Sequence, residues 1–209
     1  MSTTTAPISE VAIANMAAGV LDESRPILSL DDNTSIARFM SREFGYCRDE
    51  LIRLFPWNFC KTRIVLAPDA TAPAFEYAYA YTLPDDCLRL IPLTLDGSQY
   101  SPALIHALEG RTILTNLGPV LYARYIRKET NAARFDPLFA RCLATYLAVL
   151  ASMRVTGKSS YFDKSKGLFQ EALWNAFHVN SLEGGSPGTY DPAMTEDALN
   201  VLSIRGVGM

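Results

Sequence analysis

The sequence predicts an α+β protein, mainly α: an antiparallel four-helix bundle with an inserted antiparallel β meander and an extended C-terminal tail. Three observations carry this. Apolar residues recur at three- and four-residue steps near both ends of the chain. In the middle the period shortens to two. From Leu182 onward the composition turns Gly/Pro-rich, as linkers do. The predicted domains are 1–56 with 132–181 for the bundle, 57–131 for the β insertion and 182–209 for the arm.

The 209 residues are enough for a substantial core. Apolar residues make up 49% and charged residues 20%, the balance of a globular chain. A net charge of −3 argues against a dedicated nucleic-acid binder, which carries a basic excess. The opening MSTTTAPISE has no basic run and no apolar core, so it does not read as a signal peptide. The longest apolar helix, near 135–156, is interrupted by Arg141, Thr145 and Ser152, so no membrane span is expected.

Ser9 is placed to cap a first helix running to about Leu21, with Ile8, Val11, Ala12, Met16 and Gly19 on its apolar face. SRPILSLDD connects to a second helix over 32–55, capped by Asp31 or Asp32. Ile36, Phe39, Met40, Phe44, Cys47, Leu51, Leu54 and Phe55 form its stripe, and Pro56 ends it. RIVLA (63–67) reads as a strand. FEYAYAY (75–81) sets Phe75, Tyr77, Tyr79 and Tyr81 on one strand face. LPDDCLRLIPLTL (83–95) is extended, Asp96-Gly97 turns, and 112–115 and 120–126 complete the meander. Asp136 then caps a third helix with Pro137 at its first position. TGK (156–158) breaks it. A fourth helix over 159–180 turns Phe162, Phe169, Leu173, Ala176 and Phe177 inward.

Motifs that carry chemistry are scarce. The cysteines form no CxxC pair, and no phosphate loop, HExxH or GxSxG is present. No catalytic residue, cofactor or metal is expected. Cys60, beside Lys61 and Arg63, reads as a small buried residue, because neither His106 nor His178 is placed near it. Asp85 and Asp86 are adjacent on an extended segment and point opposite ways, so they read as a turn. The Tyr77, Tyr79 and Tyr81 ladder is a packed sheet face, a contact between subunits, or a platform for sugar stacking. The basic ARYIRKE (123–129) reads as a solvated rim, with Arg124 opposite Tyr125.

One ordered series of short motifs points further. LDESRPILSLDD follows the first helix, FPWNFCKTRIVLAPD ends the second, and FEYAYAYTLPDDCLRL, ILTN and YARYIRKETNAARFDPLFARCLATYLAVLASMRVTG follow in turn. The chain thereby resembles the tail tubular protein A family of short-tailed bacteriophages, the head-to-tail adaptors, over about residues 10–180. Here an aspartate-bearing LDES stands where that family has a glycine-containing IGExP-like connector.

The resemblance implies a structural virion protein at the head–tail junction, made in the host cytoplasm and not an enzyme. It implies a ring of identical subunits, typically twelve, that docks on the portal through the C-terminal arm. The tail nozzle protein would meet the β insertion. Double-stranded DNA would pass through the lumen without specific binding, during packaging, retention and ejection. Interface candidates are Tyr77, Tyr79 and Tyr81 on the sheet, with Tyr190, Leu199, Val201, Leu202, Ile204 and Arg205 on the arm. The competing expectation is a tail-associated glycan-binding or cell-wall-degrading module built on the tyrosine face and Asp85/Asp86.

Overall fold

A computed structural model describes residues 7–98 and 101–184. The chain divides into a helical unit, 1–59 with 129–209, and a β unit, 60–128.

The helical unit holds α1 (Glu10–Val20), α2 (Ser35–Leu54), α3 (Pro137–Ala151) and α4 (Ser159–Glu183). The expected bundle, with one apolar stripe per helix around a shared axis, is not what forms. Instead α3 is a hub, packed against α1, α2 and α4. Its composition is the reason. Besides the stripe of Phe139, Cys142, Leu143, Tyr146 and Leu147, it buries Ala140, Ala144, Thr145, Ala148 and Ala151. A helix that is apolar nearly all round is buried on all sides. Together with the turn that follows, α3 is long and apolar enough to cross a membrane by length and composition, yet it is mostly buried within this unit.

The predicted face of α1 is also corrected. Ile13, Ala14, Ala17 and Ala18 are buried, while Ala12, Met16 and Gly19 are exposed. Apolar residues occupy both sides of this helix, so period alone does not choose the face. The small side chains of Ala14, Ala17 and Ala18 permit close approach, and α1 packs on α3 through its buried side.

Caps fix the helix ends. Ser9 Oγ accepts from Ala12 N (3.1 Å), and Asp136 Oδ1 accepts from Leu138 N (2.8 Å) and Phe139 N (3.2 Å), as the sequence predicts. For α2 the cap is Thr34, not Asp31 or Asp32. Asp32 is engaged upstream, where its carboxylate accepts from Leu28 N (2.8 Å) and Ser29 N (3.1 Å). After α1, Glu23 N donates to Ala18 O and Asp22 N to Gly19 O, with Asp22 left-handed at φ 57°. That pattern is a Schellman close whose left-handed position usually holds glycine.

The β unit is not one meander. It contains β1 (Lys61–Leu66), β2 (Tyr79–Thr82), β3 (Cys87–Leu90), β4 (His106–Glu109), β5 (Thr112–Thr115) and β6 (Leu121–Arg127). They form two three-stranded antiparallel sheets, ordered β1-β6-β3 and β2-β5-β4. Sequence neighbours β2 and β3 join different sheets because a turn at Pro84–Cys87 re-aims the chain, with Cys87 N bonded to Pro84 O (3.0 Å). Among the described strands only β4 and β5 form a tight hairpin. Gly110 has φ +60° and Arg111 is not left-handed, the pattern of a II′ turn. Leu66, Leu121 and Ala123 from the first sheet share one core with Tyr81 and Ile113 from the second.

Candidate interaction surfaces

FPWNFCKTR joins the two units in sequence, and its aromatic part belongs to the helical unit. Phe55 caps α2 in extended conformation, as a residue before proline should. Trp57 is buried, and its Nε1–H donates to Leu51 O (2.8 Å). Its ring lies edge-on to Phe139 (centroids 5.0 Å) and tilted against Phe177 (5.6 Å). Phe59 meets Phe139 at 5.0 Å and Phe135 at 6.0 Å. Asn180 of α4 holds the backbone of this segment. Its Oδ1 accepts from Asn58 N (2.8 Å), its carbonyl from Asn58 Nδ2 (2.8 Å), and its Nδ2 donates to Pro56 O (3.3 Å). Cys60 is fully buried, which closes its sulfur to any solvent-borne substrate.

The predicted tyrosine ladder is divided. The strand begins only at Tyr79. Glu76 is left-handed (φ 70°), and Phe75 is exposed. Tyr79 and Tyr81 do share a face, with centroids 6.3 Å apart, but that face points into the core of the β unit. The Tyr81 hydroxyl donates to Leu117 O (2.8 Å), and burial pushes its pKa up, with Tyr79 adding to the shift. Tyr79 lies so close to Gly118 that a Cβ there would fall 2.4 Å from the ring. Tyr77 is half-buried beside the strand. Tyr190, Leu199, Val201, Leu202, Ile204 and Arg205 lie outside the described residues, as does most of the predicted arm.

Asp85 and Asp86 part company as adjacent turn residues should. Asp85 stands 3.9 Å from Arg111, which also donates to Pro84 O. Asp86 Oδ1 accepts from the Tyr125 hydroxyl (3.1 Å). Burial, then that hydrogen bond, raise the Tyr125 pKa. Such divergent partners do not make a shared acid–base site. Cys142 is inert for a related reason: burial pushes its thiol up to about 12. Among the described residues no group of three or more His, Cys, Asp or Glu is arranged to hold a metal.

A surface the sequence reading missed lies on the β1-β6-β3 sheet. Alternation turns Lys61, Arg63 and Val65 of β1 outward, while Leu66 joins the core. The register sets Arg63 opposite Arg124 and Val65 opposite Tyr122. Val65 and Tyr122 are each at least half exposed. These residues border a cleft of about 250 Å³, closed on one side by Asp96-Gly97. Gly97 is left-handed (φ +77°), and a Cβ on it would meet Tyr122 Cβ at 2.7 Å. Alternation alone marks Arg63 and Arg124 as outward. Their meeting depends on register across about sixty residues of chain, which no local pattern encodes.

A larger cleft, about 550 Å³, runs between α1, α3 and α4, with Met16, Val20 and Leu168 on its walls and Arg141, Lys164 and Glu171 around them. No family model matches the chain, and no curated protein matches it.

Proposed function

We propose that this protein is a structural head-to-tail adaptor of a short-tailed bacteriophage: a homo-oligomeric ring that docks on the portal, joins the capsid to the tail and continues the DNA channel. The ordered motif series from LDES to SMRVTG carries the reading. Two structural details support it. Asp22 holds the left-handed backbone at the connector position where the resembled family places glycine. The WNF motif follows the end of α2 and packs into the helical unit, so these residues have a physical reason to occur as a set.

No catalytic step is required of such a ring. A mildly acidic chain suits a channel wall that lets DNA slide, because phosphate affinity is carried by dense Lys/Arg contacts. The test is assembly. Purified protein is expected to be monomeric or weakly associated alone, and to form rings visible by electron microscopy when mixed with the portal of its phage. Failure to co-sediment with portal, with no portal-dependent rings, overturns the reading.

A further inference from the structure

The charge of this chain is unevenly placed. The β unit has seven Lys/Arg against six Asp/Glu, net +1, while the remainder has twelve against sixteen, net −4. On the outer face of the β1-β6-β3 sheet, Arg63 and Arg124 stand directly opposite each other. Like charges at opposed positions of an antiparallel pair destabilise it. Among the described residues neither guanidinium has a carboxylate within ion-pair distance. Asp96 borders the same cleft, but its carboxylate accepts from Ser98 N (2.8 Å). Lys61, on the same face, has its pKa lowered first by burial and then by the charge of Arg124, so Arg124 acts on a neighbour of like charge. One step along the strands, Val65 and Tyr122 form an exposed apolar shoulder.

A surface that breaks a local stability rule without internal compensation is a candidate for use. Its composition, paired arginines beside an aromatic, is that of a protein interface centre. It lacks the broad basic field that a nucleic acid selects. The complementary face is on the same chain. The exposed side of α4 carries Glu171, at the rim of the α1/α3/α4 cleft, then Trp174, His178 and Leu182, with Trp174 50% and Leu182 70% exposed. Glu171 and Trp174 are separated by about 5 Å of helix rise. The arginine and Val65/Tyr122 pairs are separated by about 7 Å of strand. Both spacings lie within side-chain reach.

We propose that the Arg63/Arg124–Val65/Tyr122 face of one copy docks on the Glu171–Trp174–Leu182 face of α4 in the next copy, carboxylate to guanidinium and ring to ring. The contact is heterologous, the kind that propagates into rings. It deepens the adaptor reading by naming the surfaces that join neighbouring subunits, and it rests on the self-assembly in that reading.

Sedimentation equilibrium of the full chain at low and high salt tests it without portal. The wild type is expected to self-associate weakly at low salt, and less at high salt. Arg63→Gln with Arg124→Gln is expected to weaken association about tenfold or more while holding or raising the thermal midpoint, because the opposed charges are gone. Arg63→Glu with Arg124→Glu abolishes association, and adding Glu171→Arg restores part of it. A wild type that stays monomeric at every salt and concentration overturns the proposal. So does unchanged association of the double variants. A fluorescein-labelled 30-bp duplex bound by wild type but not by the Gln variants, with self-association unaltered, also overturns it and assigns the face to nucleic acid. Portal-dependent ring assembly by wild type is scored separately, so the adaptor reading stands or falls on its own result.

Discussion

Trp57 is the residue whose role is fixed most firmly. It fills a site between the end of α2, Phe139 and Phe177, and its indole N–H has a backbone partner. Trp57→Ala leaves both a cavity and an unpaired Leu51 carbonyl. A loss of about 3–5 kcal/mol is expected in urea unfolding, and a loss below about 1 kcal/mol would contradict this account. Cys60→Ala in contrast should leave the portal-dependent assembly of the proposed adaptor role intact, since the residue acts as a small buried group. A well-folded Cys60→Ala protein that no longer assembles would return the thiol to consideration.

Asp32 gives a pH signature at the same scale. Hydrogen bonds from the Ser29 and Leu28 amides, in that order, hold its pKa below the ordinary carboxylate value. Its folded pKa is thus lower than its unfolded one. The contribution is present above about pH 4 and disappears as pH falls through the folded value. Asp32→Asn should flatten the acid limb of the stability profile, while leaving neutral-pH exchange of the α2 amides unchanged. An acid limb identical in the two proteins would sink the assignment.

At the scale of elements, two glycines decide how segments approach. Gly118 lies under the Tyr79 ring, and Gly97 lies against Tyr122. Gly97→Ala is doubly disfavoured, by its left-handed backbone and by the Tyr122 contact. We expect destabilisation of about 1–3 kcal/mol and a changed Tyr122 fluorescence or ring-NMR environment. Wild-type stability with an unmoved Tyr122 would show that the loop yields freely. Helix caps were legible in the sequence at Ser9 and Asp136, because capping is a local bond between side chain and backbone three residues on. The cap of α2 was displaced to Thr34, because Asp32 found two amides upstream. The tyrosine run is a strand only in part. Its alternation is real from Tyr79 to Tyr81 and stops at Glu76, whose left-handed backbone ends the strand.

For the whole molecule, the order of segments was readable but their partners were not. Helical period, shortened period and helical period again appear in chain order, and both units follow that order. The arginine face belongs to the unreadable part. Arg63 sat in one motif and Arg124 in another, and only antiparallel register made them neighbours.

By itself the sequence determined the four helical segments, where Pro56 and Gly157 stop helices, and that Asp85 and Asp86 diverge. These follow from interactions spanning a few residues. Tertiary structure alone decided that α3 is a hub rather than one wall of a bundle, that six strands split into two sheets, and which face of α1 is buried. Those outcomes depend on which apolar surfaces meet across long stretches of chain. A helix with two apolar faces, or a strand with two possible neighbours, does not carry that choice in its own period.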